Sequence, residues 1–288
     1  MTISPSDFIS CALPALKSLS DLLFASAGGD KGGVATKRDG TLVTEVDRLV
    51  ESRLVEAFSA RFPGVPILGE EGAIDVGVRG AAELYTPFLH AEEQLVIDPI
   101  DGTKNFIDGR REYCMAVALC CKVKDGVWPV AGVILIPEFG ELYFSDRKSV
   151  FFENLRTGVA RAVKREVSKE AKVSVNSRDR AWLDSVGLAA AVPWVSSGSS
   201  IYDFLNAALG RHRGSVVGAQ RLWDLMAPLA IASTLGLVLR DISSGEIVSS
   251  IGLGDLSTDT ELRPWGLARK MLLALPDQVI SELVGRSG

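Results

Sequence analysis

Residues 95–106 read Leu-Val-Ile-Asp-Pro-Ile-Asp-Gly-Thr-Lys-Asn-Phe, an apolar run that ends in two aspartates. The run predicts a strand over 94–98. Pro99 fixes its own φ and pushes Asp98 toward an extended conformation, so Asp98 is expected to be the last residue of that strand. The chain then turns through Pro99-Ile100. Asp101 is expected at a helix N-terminus, with the amides of Gly102 and Thr103 unpaired and facing outward. Such amides bind anions, and glycine lets the backbone approach one closely. Two like charges at one strand tip repel each other. An ordinary Asp-Gly turn that caps a helix tolerates them; a site holding a cation beside an anion makes use of them. Alone, these residues leave both readings open.

The surrounding chain predicts two kinds of layer. Helical apolar spacing covers 6–27, and a second helix opens at Thr44-Glu45-Val46-Asp47 and runs to about Phe62, with Val46, Leu49, Val50, Leu54 and Phe58 on one face. A glycine-rich loop, Gly28 to Gly33, lies between them. Strand patterns follow at 65–68, 94–98, 113–123, 128–136, 142–144 and 150–152, with 73–93 reading as a loop and a short helix. That is a set of helices on a largely antiparallel sheet. Beyond Lys172, strands at 172–175, 193–196, 215–217 and 237–241 alternate with helices near 179–188, 199–210 and 224–235, an α/β pattern. The tail, 263–286, reads as mostly helical. Between the halves, Arg156, Arg161, Lys164, Arg165, Lys169 and Lys172 interleave with Glu166 and Glu170 and with no aromatic residue. Mixed signs of this kind mark a solvated face at a domain connection more than a nucleic-acid patch.

Charge and cysteine usage narrow the partners. The net charge of −5 over 288 residues gives no general attraction to nucleic acid or to an anionic membrane. No apolar run approaches the roughly 20 residues needed to cross a bilayer. The N-terminal segment carries Asp7 and no basic leader, so it reads as a helix of the mature protein. Cys11, Cys114, Cys120 and Cys121 form no CxxC pair, and three of them fall in one apolar strand. Buried free thiols in a reducing cytoplasm fit that usage.

Three further acidic elements have local explanations. Glu70-Glu71 follows a strand and sits between Gly69 and Gly72, as a solvated loop or a functional one. Thr44-x-x-Asp47 is a capping box. Trp223-Asp224 precedes an apolar helix as an N-cap would.

Taken together, T-x-x-D, G-E-E-G, D-P-I-D-G-T and W-D, spread from about Lys37 to Asp224, resemble the inositol monophosphatase superfamily of magnesium-dependent, lithium-sensitive phosphatases. The resemblance implies an α/β protein, α+β overall, built as a five-layer αβαβα sandwich. An N-terminal α+β metal-binding domain with an antiparallel sheet is expected over 1–160, and a C-terminal α/β substrate-side domain over 161–288, with the active site between them and a homodimer as the usual assembly. It implies that Glu70, Asp98 and the carbonyl of Ile100 hold one Mg2+, that Asp98, Asp101 and Asp224 hold a second, and that Glu70 shares a third. Asp47 and Thr103 would orient and deprotonate the attacking water, with Glu71 nearby. Gly102 and Thr103 would bind the phosphate. Gly198, Ser199 and Ser200 would lie near the leaving group.

Electrostatics leads to the same cofactor. If Asp47, Glu70, Glu71, Asp98, Asp101 and Asp224 converge, a phosphate monoester meets a wall of like charge. Each unit pair at about 4 Å costs about 4 kcal/mol at an effective dielectric of about 20. Two or three divalent cations reverse the sign, and carboxylates, a carbonyl and water are the oxygen ligands magnesium prefers. The expected reaction is hydrolysis of a small phosphorylated polyol, sugar or nucleotide by direct transfer to water. The D-x-x-D spacing and the upstream Gly-Glu-Glu separate it from haloacid-dehalogenase-type enzymes, whose first aspartate of D-x-D is the nucleophile. Val217 stands where inositol-specific relatives carry a glutamate that contacts a ring hydroxyl, which puts inositol specificity in doubt. Arg110 and Arg111 are read as exposed residues or as contacts to a second phosphate. 3′-Phosphoadenosine 5′-phosphate, histidinol phosphate and fructose 1,6-bisphosphate remain open as substrates. So does a regulatory binding role with weak phosphatase activity.

Overall fold

A computed structural model describes residues 2–27, 33–37, 40–73, 80–166, 172–188, 190 and 193–276. The first part runs α1 (Pro5–Ala27), β1 (Ala35–Thr36), β2 (Leu42–Val43), α2 (Glu45–Arg61), β3 (Ile67–Gly69), α3 (Glu70–Ala73), α4 (Ala81–His90), β4 (Glu93–Asp101) and α5 (Thr103–Ile107). It continues with β5 (Cys114–Val123), β6 (Gly126–Ile136), β7 (Glu141–Ser145), β8 (Val150–Asn154) and β9 (Ala160–Ala162). The second part runs β10 (Val173–Ser174), α6 (Ser177–Ser185), β11 (Trp194–Val195), α7 (Ser200–Leu209), β12 (Gly214–Val217), α8 (Leu222–Thr234), β13 (Val238–Asp241), β14 (Ile247–Val248) and β15 (Met271–Ala274).

Strands β3 to β9 form one sheet in chain order, antiparallel except for the β3–β4 pair. The other large sheet has the order β11-β10-β12-β15-β13-β14, with β11, β10 and β12 parallel and the rest antiparallel. Period-2 alternation explains the layering. Leu95, Ile97, Val117, Leu119, Val133 and Leu135 face α1 and α2. Val96, Ala116, Ala118, Ile134 and Ile136 face the opposite way, onto α7 and α8. The second sheet covers the far side of α7, and α6 closes the stack through Leu183 against Val173, Val216 and Leu272. The result is the expected αβαβα order.

Four expectations need correction. The tail is not helical where it is described: Met271–Ala274 is β15, paired to β12 on one side and β13 on the other. Met-Leu-Leu-Ala favours helix locally, but two antiparallel partners and burial on both faces override that preference; residues 277–286 lie outside the described residues. Strand β4 does not stop at Asp98 but continues to Asp101, with a register shift between the two. Leu49, placed on the buried face of α2, is exposed. The segment after Gly69 opens a short helix, α3, where a loop was expected. The expected glycine-rich loop lies almost wholly outside the described residues, as do 167–171 of the basic stretch.

Candidate active site

The bulge at Asp98–Asp101 turns both carboxylates into one pocket. Asp98, Asp101 and Asp224 each present an oxygen within 4.8 Å of the others. They come from the end of β4 and the start of α8. Asp224 is the third residue of α8 and not its N-cap; its Oδ2 accepts from the backbone N–H of Arg221, the N-cap, at 2.7 Å. Asp101 does not cap its own short helix. Instead it accepts from the Ser199 hydroxyl and from the Ile201 amide (2.7 Å), and so caps α7 across the layer boundary.

Glu70 is the electrostatic hub, because its charge raises the pKa of Asp47, Glu71, Asp98, Asp101 and Asp224 alike. Burial is the larger cause in each case. It pushes Asp101 up to about 6, Glu71 to about 7 and Asp224 to about 8, and holds Asp98 well above the ordinary range. One ammonium answers these charges directly. Lys37, just after β1, places Nζ 2.7 Å from Glu70 and 2.6 Å from Glu71 and is almost fully buried. Its own pKa is raised by those two glutamates against the opposing pull of burial.

The Thr44–Asp47 capping box forms as expected, and it fixes Asp47 through the Thr44 amide at 2.8 Å. The remaining oxygen of Asp47 lies 3.2 Å from Thr103 Oγ1, which is also 3.0 Å from the carbonyl of Ile100. The single hydroxyl proton of Thr103 therefore serves Asp47 or Ile100, one at a time. Gly102 has φ +86°, a left-handed conformation, and a Cβ there would sit 3.0 Å from Glu112 O and from Ser199 Cβ. Only glycine fits that crossing of two loops.

Glu70, Ile100, Asp101, Gly102, Thr103 and Asp224 line a cavity of about 540 Å³ whose other walls include Gly198, Ser200 and Arg178. Ser199 was expected near the leaving group, with Gly198 and Ser200. Its side chain is buried, bonded to Asp101 and accepting from the Tyr202 amide, so Gly198 and Ser200 alone of that trio line the cleft. Val217 does not reach the cleft either; it lies in the core beneath α7 and α8. Arg111 stacks on Phe139 and pairs with Glu138, outside the cleft.

Three site residues had no sequence signal of their own. Lys37 sits beside Arg38 in a short polar stretch with no diagnostic spacing. Glu51 follows Asp47 by one helical turn and bonds the Gly-Glu-Glu-Gly turn. Asn105 donates to Glu112 O (2.7 Å) and Ser197 O (2.9 Å), tying the loop that carries Gly102 to the loop that carries Gly198. Asn105→Ala removes two buried hydrogen bonds worth about 2 kcal/mol together. Scanning calorimetry should show a melting temperature lower by about 5 °C.

Both oxygens of Asp98 are buried and have no hydrogen-bond partner among the described residues. A fully buried carboxylate without partners is costly. Oxygen donors clustered around it are the ligand type for magnesium or a similar hard cation. The residues present therefore fit a divalent metal: Asp98, Asp101 and Asp224, with Glu70 beside them.

A model of the Inositol monophosphatase family matches residues 4–272. A histidinol-phosphatase of Chlorobaculum parvum is 38% identical over 121 residues, 42% of this chain and 40% of that protein. An inositol-1-monophosphatase of Bacillus subtilis is 30% identical over 206 residues, 68% of this chain and 70% of that protein. Among solved structures, the extragenic suppressor protein suhB from Bartonella henselae superposes with a TM-score of 0.68 at 19% identity, covering 98% of this chain and 97% of that one, a likeness of fold.

Proposed function

The chain belongs to the inositol monophosphatase family, and from that premise we propose that it is a magnesium-dependent phosphomonoesterase acting on a small phosphorylated alcohol. The observation that carries the reading is Asp98, whose two buried oxygens lack a partner among the described residues while Asp101 and Asp224 stand within 4.8 Å. Asp98, Asp101, Asp224 and Glu70, with the Ile100 carbonyl, would hold the ions. Bound there, divalent metal supplies Lewis acidity toward the phosphoryl group and a lower pKa for water.

The chain's own residues would do the rest. The Gly102 and Thr103 amides, at the mouth of α5, would donate to phosphate oxygens as charge builds on them. Thr103 Oγ1, poised between Asp47 and the Ile100 carbonyl, would orient the attacking water. The water's proton would pass through Thr103 to Asp47, whose raised pKa suits it to accept one. The water oxygen would bond to phosphorus, the ester P–O bond would break, and the alkoxide would leave toward Gly198 and Ser200, becoming the alcohol by taking a proton from a solvent water. No covalent phospho-enzyme forms on this route.

Lys104, Arg178 and Arg221 line the same cavity as the acids. Arg178 and Arg221 also lie near enough to Arg263 to push its pKa down, after burial. Like charges gathered beside a cleft favour a substrate with a second anionic group, so we read a bisphosphorylated sugar or nucleotide as a better fit than an inositol monophosphate. The test is phosphate release from a panel of monoesters and bisphosphates, each with Mg2+ and with a chelator. Turnover that requires Mg2+ and is faster for the bisphosphate of a matched pair supports both statements. Equal rates within the pair would remove the second-anion reading. No turnover of any compound by metal-loaded protein would remove the phosphatase reading and favour a binding role.

A further inference from the structure

Glu51 lies outside the cavity formed by the acids, yet it meets the loop that carries two of them. Its carboxylate is buried, one turn beyond Asp47 on α2. Its Oε2 accepts from the Glu71 amide at 2.8 Å and its Oε1 from the Gly72 amide at 2.7 Å. Those are first-turn amides of α3, which have no partner within so short a helix. One rigid helix thus fixes Asp47 and, through Glu51, the turn that displays Glu70 and Glu71.

The flanking glycines follow from this contact. A Cβ at Gly69 would fall 2.5 Å from Glu51 Cδ and 2.6 Å and 2.7 Å from its two oxygens. A Cβ at Gly72 would sit 3.3 Å from Oε1. Neither glycine has a left-handed φ, so the approach of the Glu51 carboxylate, and not backbone conformation, excludes a side chain at 69. That gives the Gly-Glu-Glu-Gly pattern a physical cause: Gly69 makes room for the clamp that aims the glutamates.

We propose that Glu51 is a positioning residue for the metal centre, holding the Gly69–Gly72 turn by a two-amide clamp so that Glu70 meets the ions with its carboxylate already in place. This rests on the metal-dependent reading above. It predicts a loss in metal affinity more than a loss in substrate affinity. Gln at 51 can accept from one amide only and turns an N–H2 toward the other.

The test is Mn2+ binding to the full chain, followed by electron paramagnetic resonance, beside steady-state kinetics. In Glu51→Gln the Mn2+ dissociation constant and the half-saturating Mg2+ are both expected to rise at least about tenfold, while KM for the phosphate ester at saturating metal changes less than about threefold. Gly69→Ala should weaken Mn2+ binding by pushing the carboxylate away. In Glu51→Ala the methyl at 69 has nothing to strike, so the double variant Glu51→Ala/Gly69→Ala should be no weaker than Glu51→Ala alone. Unchanged Mn2+ affinity in Glu51→Gln, or fully additive losses in the double variant, would overturn the clamp. If the Glu51 variants do not fold, Gly69→Ala decides alone, and wild-type affinity there would overturn it. Mn2+ binding without any phosphate release in the wild type would sink the phosphatase reading and leave the clamp's test intact. Absence of Mn2+ binding in the wild type would sink the clamp.

Discussion

Asp98→Asn is expected to lower phosphate release by at least about a thousandfold, roughly 4 kcal/mol of lost transition-state stabilisation, and to raise the melting temperature of the metal-free protein. Both effects have one cause. Asp98 is almost fully buried, and among the described residues its oxygens have no partner. Burial and then the charges of Glu70, Asp101 and Asp224 oppose its ionisation. Without metal, the asparagine relieves that repulsion at nearly constant volume. With metal, it removes a ligand charge from the centre of the cluster. A merely structural Asp98 gives the opposite pattern, a less stable protein with activity retained in the folded fraction. A phosphate-release assay and calorimetry with and without chelator distinguish the two.

Stability of the metal-free protein should fall as pH rises from about 4 to about 8, and Mg2+ should oppose that fall. Native pKa values near 6 for Asp101, near 7 for Glu71 and near 8 for Asp224 stand above the ordinary carboxylate range, with Asp98 also well raised. The unfolded chain titrates these groups near about 4. Between those limits the native state binds more protons than the unfolded state, so raising pH costs stability until the highest native pKa is passed. Each unit of difference corresponds to about 1.4 kcal/mol, and shared protons among coupled carboxylates keep the total to a few kcal/mol. The melting temperature of chelator-treated protein should therefore drop by roughly 5–10 °C between pH 5 and pH 8. Mg2+ should raise it by several degrees at pH 8 and by little at pH 5. A profile that stays flat in chelator, or a Mg2+ effect larger at pH 5, contradicts a cluster of repelling carboxylates.

The local chemistry of the sequence was the readable part. Continuous apolar runs located β4, β5 and β6 within a few residues, because both faces of each strand are buried. The Thr44–Asp47 box forms as short-range spacing predicts. What stayed hidden depends on distant partners. The Met271–Ala274 strand is made by β12 and β13, which its own residues do not announce. The Ser199 hydroxyl turns to Asp101, 98 positions earlier. Lys37 reaches Glu70 and Glu71 across more than thirty residues, and no spacing rule pairs them. Asp98 and Asp101 were visible as a like-charged pair and the family resemblance added Asp224, but only the fold shows that Asp98 has no hydrogen-bond donor among the described residues.

The central claim, that acids from separate segments meet in order to hold divalent cations, has a direct test in anomalous diffraction from crystals grown with Mn2+. The account predicts strong anomalous peaks within about 2.3 Å of Asp98 oxygens, with Asp101 or Asp224 and Glu70 completing the shells. Crystals whose anomalous peaks lie elsewhere, with Asp98 still unligated at saturating Mn2+, would contradict it.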